Sequence, residues 1–236
     1  AVALLAAGWM LLAGAATPSS PAGVLLPVEG PIGPATSDFF VRQLREAAAS
    51  GASLVVVTID TPGGLDTAMR DMVQAILASE VPVIAYVSPS GARAASAGTY
   101  LVYASHVAAM APATNLGAAT PVQIGGSPSK DGEQPQAAEP GSASERKAVN
   151  DSVAYLRGLA ELRGRNVAWA ETAVREGASL PADEALAAGV VDLVAADLPA
   201  LLQALDGRKV RLRAQEVELR TAGLVLREVE TDWRTD

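Results

Sequence analysis

The chain contains no cysteine, which excludes disulfides and thiolate metal sites. This does not fix a compartment, because a cysteine-free chain suits any redox environment. Aromatic residues are also scarce, at 4%. Ala, Val, Leu and Gly must therefore do the packing, which suits close contact between helices and a sheet. Basic residues number 18 against 26 acidic ones, a formal net charge of -8. They form no cluster, so nucleic acid is not an expected partner. Lysine occurs three times and histidine once, and this scarcity later allows candidate bases to be eliminated one by one. What is abundant is apolar: half of the 236 residues are hydrophobic. That composition excludes global disorder and leaves room for one sizeable core with appendages.

Ala1 to Ala16 reads AVALLAAGWMLLAGAA, and the first charged residue is Glu29. Ala13-Gly14-Ala15 fits the small-x-small pattern that precedes a signal-peptide cut. The stretch is short for a membrane span, which needs about 20 apolar residues. Thr17-Pro18-Ser19-Ser20-Pro21 then breaks it off like a linker. Residues 1–22 are expected to be a signal peptide or membrane anchor plus linker. The chain starts without Met or a basic flank, so a few residues are expected to precede it.

Beyond the linker, apolar runs alternate with helical patterns. Gly23–Glu29, Leu54–Ile59 and Val81–Val87 read as strands, and LVVVTI suits a strand covered on both faces of a parallel sheet. Helices are expected from Ser37 to about Ser50, Leu65 to Ser79 and Ala94 to Ala104, followed by a short strand from His106 to Met110. This order argues for an α/β fold with right-handed crossovers. Residues 120–145 hold Pro121, Pro128, Pro135 and Pro140 among Gly, Ser, Gln and Ala, and read as a flexible loop. Helices return at Glu145–Arg163, Trp169–Glu176, Pro181–Ala188 and Leu198–Leu205, with a strand at Val190–Val194. From Lys209 the chain alternates polar and apolar residues, as half-exposed strands do.

Ligands of open α/β folds gather at the carboxyl ends of strands. Two loops qualify, Thr61-Pro62-Gly63-Gly64 and Ser88-Pro89-Ser90-Gly91. The paired Gly63 and Gly64 let backbone N–H groups approach a reacting carbonyl with no Cβ in the way, although a plain Pro-Gly turn reads the same. Ser96, in Ala94-Ala95-Ser96-Ala97-Gly98, has small neighbours and heads a helix, but a packing serine would look alike. A hydroxyl needs a base to become a nucleophile. His106 is the one histidine, and no acid lies between it and Ser96, so the serine–acid–histidine order of α/β-hydrolases is excluded and His106 reads as structural. Arginine cannot give up its proton. Lys209 lies in the charged tail and Lys130 in the Pro-rich loop. Lys147 opens an amphipathic helix; buried beside a hydroxyl, a lysine is driven toward the neutral amine by desolvation. On residues alone it could equally be a solvated charge at a helix end.

Asp60-Thr61-Pro62-Gly63-Gly64, the segment RAASAGTYLVYASHVAAMAPATNLGAATPV and Lys147-Ala148-Val149-Asn150-Asp151, followed by Gly164-Arg165-Asn166, together closely resemble the NfeD family. Its members are membrane-bound serine peptidases of the ClpP/crotonase superfamily, similar also to signal peptide peptidase A. The resemblance covers Gly23 to about Val210. It implies a stacked parallel β-sheet with surrounding helices and a peptidase domain over residues 23–207. It implies Ser96 as nucleophile, Lys147 as base, and Gly64 and Ala97 as oxyanion donors, with Gly63 shaping the turn. No cofactor and no metal are implied. The expected substrate is a hydrophobic peptide segment, notably of a stomatin-like membrane protein. The expected setting is a membrane with the peptidase domain outside the cytoplasm, as a homodimer or larger homo-oligomer. Residues 208–236 would be a charged, β-rich tail leading into membrane helices that lie past Asp236. Two rival readings remain: a non-catalytic scaffold of the same fold that binds a stomatin-like partner, and an acyl-CoA enzyme using Asp60 or Glu80.

Overall fold

The computed structural model describes residues 22–122, 142–213 and 215–229. The N-terminal apolar segment and residues 123–141, the centre of the Pro-rich stretch with Lys130, lie outside the described residues. Among the described residues no helix is long and apolar enough to cross a membrane.

Six parallel strands form the central sheet. They are β1 (Ala22–Glu29), β2 (Val55–Asp60), β3 (Val83–Val87), β5 (Val107–Met110), β8 (Leu193–Val194) and β11 (Val225–Glu228), in the spatial order β11-β1-β2-β3-β5-β8. The strands alternate between two apolar layers, which is why they read as continuous apolar runs. Val55, Val57 and Ile59 face one layer with Val83, Ala85 and Val87. Val56, Ile84 and Tyr86 face the other. Fully buried residues such as Leu26, Ile59 and Ile84 each contribute about 1.5–3 kcal/mol by leaving water.

The first layer is closed by helices. In α1 (Pro34–Ala49), Pro34 presets the first-turn φ, and Phe40, Leu44 and Ala47 recur at helical spacing on the buried side. In α2 (Asp66–Ala78) the buried stripe is Met69, Met72, Val73 and Ile76. α3 (Ala97–Ala104) is buried all round. α4 (Ala143–Arg163) and α5 (Val167–Arg175) complete the layer through Val153, Leu156, Ala170 and Val174. Behind the sheet, α7 (Leu198–Leu205) and the antiparallel hairpin β9 (Lys209–Leu212)–β10 (Gln215–Glu218) cover the second layer with Leu201, Leu205 and Val210.

A small second sheet stands at the carboxyl end of the first. Its strands are β4 (Arg93–Ala95), β6 (Asn115–Gly117) and β7 (Ser179–Pro181), with α6 (Ala182–Ala187) following. The helix expected from Ala94 therefore begins three residues later, because Arg93–Ala95 pairs in parallel with Asn115–Gly117. Likewise the strand expected over Val190–Val194 shortens to two residues. The N–H groups of Val190 and Val191 both donate to the Ala185 carbonyl, closing α6.

Candidate active site

Ser96 sits between β4 and α3 with φ 50° and ψ -115°. A non-glycine residue held there is strained, of order 1–3 kcal/mol, and persists only when its surroundings over-determine it. Here they do. The Ser96 N–H donates to the Gly117 carbonyl (2.8 Å), and the Ser96 carbonyl accepts from the Thr99 N–H (2.9 Å). The Thr99 hydroxyl lies 2.9 Å from the carbonyl oxygens of both Ala94 and Gly117 and accepts from the Gly117 N–H at 3.1 Å. Gly117 has φ 133°, and a Cβ there would lie 2.2 Å from the Ala178 carbonyl oxygen, so this support demands glycine. With its backbone fixed on both sides, Ser96 is half-buried and makes no side-chain cap to α3. Among the described residues its Oγ has no hydrogen-bond partner.

The second wall is the loop after β2. The Thr61 hydroxyl lies 2.7 Å from the Gly30 carbonyl oxygen, and accepts from the Gly63 N–H at 3.0 Å. The Thr61 N–H donates to Arg93 and its carbonyl accepts from the Ala95 N–H, tying this loop to β4. Gly63 has φ 113°, and an added Cβ would stand 2.6 Å from the Ser96 Cβ. At Gly64 an added Cβ would lie 2.0 Å from the Ile32 carbonyl oxygen. That carbonyl accepts from the Leu65 N–H, and the Ile32 N–H donates to Gly63, so the loop is laced to the segment after β1. Among the described residues neither the Gly64 N–H nor the Ala97 N–H donates a hydrogen bond. Ala97 is the first residue of α3, where helix N–H groups have no internal partner and the dipole favours negative charge.

Gly64, Ser96 and Ala97 line one cavity of about 250 Å³, with Leu65, Asp66, Met69 and Tyr100. Ala119, Pro121, Val122 and Ser152 complete its lining. The wall is mainly apolar. Leu65 and Val122 expose 41% and 77% of their surface at its edge. Burial pushes the Tyr100 phenol up to about 12, so it stays a neutral hydroxyl. A larger groove of about 1080 Å³ between α1 and α2 is lined by none of the expected site residues.

Of the five expected site residues, the structure thus brings four together: Gly63, Gly64, Ser96 and Ala97. Lys147 is not with them. It lies on the second turn of α4, exposed, and among the described residues it has no bond to Ser96. The α4 residue that lines the cavity is Ser152. Neither carboxylate of the acyl-CoA reading lines the cavity: Asp60 accepts from the Arg93 N–H, and Glu80 pairs with Arg213. His106 is structural, its Nδ1 accepting from the Val83 N–H. Burial, with Arg163 and Arg165 nearby, pushes it down to about 3.

Sequence reasoning assigned no role to Thr61, Thr99 or Gly117. They stood in Asp60-Thr61-Pro62-Gly63-Gly64, Ala97-Gly98-Thr99 and Asn115-Leu116-Gly117, but hydroxyls and glycines bonded to backbone carry no pattern of their own. It also left Gly164-Arg165-Asn166 unexplained. Gly164 ends α4 in the left-handed conformation (φ 68°), and Asn166 caps α5 by accepting from the Trp169 N–H. Arg165 is buried between them. It donates to the carbonyls of Val102, Tyr103 and Ser105 at the far end of α3 and pairs with Asp192 at 2.8 Å. The helix that presents Ala97 at one end is therefore held by Arg165 at the other.

The family model described as "NfeD1b, N-terminal domain" matches residues 23–206. Membrane-bound protease PH1510 of Pyrococcus horikoshii is 40% identical over 187 residues, which span 78% of this chain and 40% of that protein. Membrane protein NfeD1b of Bacillus subtilis is 29% identical over 201 residues, 80% of this chain and 42% of that one. The chain thus spans about two fifths of the length of these relatives. Two solved structures of the 1510-N membrane-bound stomatin-specific protease superpose closely. A serine-to-alanine mutant has TM-score 0.79 and 34% identity over 90% of this chain and 99% of the other. A lysine-to-alanine mutant in complex with a substrate peptide has TM-score 0.80 and 34% identity, over 92% and 95%. The ClpP-like fold expected from the motifs is therefore the fold of this chain. By the match over residues 23–206 and the shared architecture, it belongs to the NfeD1b N-terminal domain family.

Proposed function

We propose that this chain is a serine endopeptidase in which Ser96 is the nucleophile and Lys147 the general base. One observation carries the reading. A strained serine with an uncommitted Oγ lines the same cavity as two backbone N–H groups, of Gly64 and Ala97, that donate to nothing among the described residues. The Ala97 residue is buried, where N–H groups are normally paired, and the exposed Gly64 N–H stands open to the cavity; two free donors beside a nucleophile suit an oxyanion that is present only during reaction.

The Ser96 oxygen attacks the peptide carbonyl while the neutral Lys147 amine takes its proton. The tetrahedral oxyanion rests on the N–H groups of Gly64 and Ala97, with Gly63 keeping the turn clear of the Ser96 Cβ. Lys147 then gives the proton to the departing amine, and the amine leaves. Water attacks the acyl-enzyme as Lys147 accepts its proton; the Ser96 Oγ–acyl bond then breaks, Lys147 returns the proton to Oγ, and the peptide leaves as its new carboxyl terminus. The chemistry needs Lys147 Nζ within hydrogen-bond reach of Ser96 Oγ, so the first turns of α4 must approach the cavity when a peptide fills it. Support comes from the relatives, whose names include a protease, and from a lysine-to-alanine mutant of a related protease holding a substrate peptide.

The apolar lining by Leu65, Met69, Ala119 and Val122 supports hydrophobic segments as substrate. The neighbours named as stomatin-specific support a stomatin-like membrane protein as their source. The names of the relatives, a membrane-bound protease and a membrane protein, support membrane association; a peptidase domain outside the cytoplasm belongs to the proposal on the strength of the apolar N-terminal sequence. Self-association into a dimer or larger ring belongs to the same proposal. The test is covalent capture with a fluorophosphonate probe followed by peptide mass spectrometry. Labelling confined to Ser96, and slowed about 100- to 10,000-fold but still measurable in Lys147→Ala, is the expected result. Equal labelling of Lys147→Ala would overturn the dyad. No labelling and no cleavage, with a stomatin-like partner still retained on a column, would favour the scaffold.

A further inference from the structure

Lys147 is exposed, yet the charge and the packing nearest to it are organised. α4 runs for 21 residues, and its buried side chains are Ser152, Val153, Leu156, Leu159 and Ala160. Its first two turns hold no fully buried residue, although Val149 packs half-buried against the core, so hydrophobic burial, the usual means of fixing a helix, holds the Lys147 turn only loosely. The contact at the boundary is ionic. Arg70 of α2 pairs with Asp151, one helical turn after Lys147. The same guanidinium lies 4.5 Å from the centroid of Tyr155, a further turn along. Lys147, Asp151 and Tyr155 recur every four residues and so share one stripe of α4. Arg70 grips two members of that stripe and leaves the third, the lysine, next in line.

The other end of the bracket reaches the nucleophile. Arg70 Nε donates to Asp66 at 2.8 Å, and Asp66 opens α2 and lines the Ser96 cavity two residues after Gly64. Tyr155 also stacks on Tyr100 of α3, with ring centroids 5.8 Å apart. One arginine thus joins the oxyanion loop, the nucleophile helix and the helix that carries the base.

We propose that Arg70 is a positioning residue of the catalytic apparatus: through Asp151 and Tyr155 it holds α4 against α2 one turn beyond Lys147, so that only the turns before that anchor need move for the amine to reach Ser96. The proposal rests on the dyad reading given above. The ion pairs are substantially exposed, at 32% for Arg70 against 62% for Asp66 and 67% for Asp151, so they add little to stability. Their consequence lies in geometry, where a misplacement of about 1 Å costs up to ~100-fold in rate.

A double-mutant cycle on fluorophosphonate labelling of Ser96 tests this, using wild type, Arg70→Gln, Lys147→Ala and the double variant, with Arg70→Lys as the conservative control. Arg70→Gln is expected to label roughly 10-fold or more slowly with its melting temperature nearly unchanged. Arg70→Lys, which keeps the charge, is expected to recover part of the rate. In the Lys147→Ala background, Arg70→Gln is expected to have no further effect, because two residues acting through one step are not additive. A wild-type rate for Arg70→Gln overturns the proposal. So does a double variant slower than Lys147→Ala by the full factor of the single change, which would mark an independent structural effect. Undiminished labelling of Lys147→Ala alone would overturn the dyad, and this inference with it; the two failures are therefore separable.

Discussion

Gly64→Ala offers the sharpest test of the oxyanion assignment. The added Cβ would lie 2.0 Å from the Ile32 carbonyl oxygen and 2.6 Å from both the Ile32 carbonyl carbon and its nitrogen. All three are backbone atoms, so no side-chain rotation relieves the clash. The loop must move away from the segment after β1. That motion strains two hydrogen bonds, Ile32 N–H to Gly63 (2.8 Å) and Leu65 N–H to Ile32 (2.9 Å). At about 1 kcal/mol each, the stability loss is ~2 kcal/mol. For a domain of this size that lowers the melting temperature by roughly 4–8 °C, leaving the protein folded at 25 °C. The Gly64 N–H would leave its place beside Ser96. Loss of one oxyanion donor costs about 100- to 1,000-fold in rate. The assay is the rate of fluorophosphonate labelling of Ser96 at 25 °C, with thermal unfolding followed in parallel. A folded Gly64→Ala protein that labels at the wild-type rate would refute the assignment of Gly64.

Three further outcomes are expected. Ser96 has φ 50°, so Ser96→Gly should unfold at a higher temperature than Ser96→Ala, by about 1 kcal/mol of stability, while neither reacts with the probe; equal melting temperatures would mean the backbone is relaxed there. Arg165→Met should cost about 3–5 kcal/mol in chemical denaturation, because it leaves Asp192 and three α3 carbonyls without their buried partner. His106 is pushed down to about 3 from an ordinary 6.5. The unfolded chain then binds more protons between those values, so stability is full above about 6.5 and falls as pH drops toward 3. Its share of the slope reaches at most about 1.4 kcal/mol per pH unit, and urea titrations at several pH values should show that share vanish in His106→Gln.

The sequence foretold the frame of the molecule better than its site. Strands such as Leu54–Ile59 were legible because burial on both faces leaves an unbroken apolar run, and the structure starts β2 within one residue of the expected place. β4 and β6 were not legible. Each is three residues long, too short to carry a period, and β4 lies in an Ala-rich string that also suits a helix. Because β4 was invisible, so was the reason for the Ser96 conformation, which is the break between that strand and α3. The pair of glycines could be read as an oxyanion loop, but Thr61, which holds them, looked like any residue before a proline. The tail alternates as expected. β11, the last strand among the described residues, nevertheless adds in parallel to β1, a long-range pairing that local alternation cannot reveal.

The division of the site into two parts follows from how each part is held. Ser96, Gly63, Gly64 and Ala97 are fixed by backbone hydrogen bonds that converge from β1, β2, β4 and β6, around Thr61 and Thr99. Bonds of that kind are short-ranged and directional, so they can hold a strained serine to within fractions of an ångström. Lys147 has no such lattice. It is exposed on a helix whose first apolar contact with the core, the half-buried Val149, follows two residues later and whose fully buried side begins at Ser152. A serine poised but without its base is chemically inert, since a hydroxyl at neutral pH attacks amides poorly. Under the proposed dyad, a base that must be delivered makes reaction conditional on occupancy of the cavity, and the control of reactivity lies in α4 rather than in the nucleophile loop. It follows that substitutions at the exposed positions 143–147 of α4 should change the rate of acylation without moving the melting temperature. Substitutions at Thr61 or Thr99 should lower both, and comparing the two sets of variants by labelling rate and thermal unfolding would show whether the division is real.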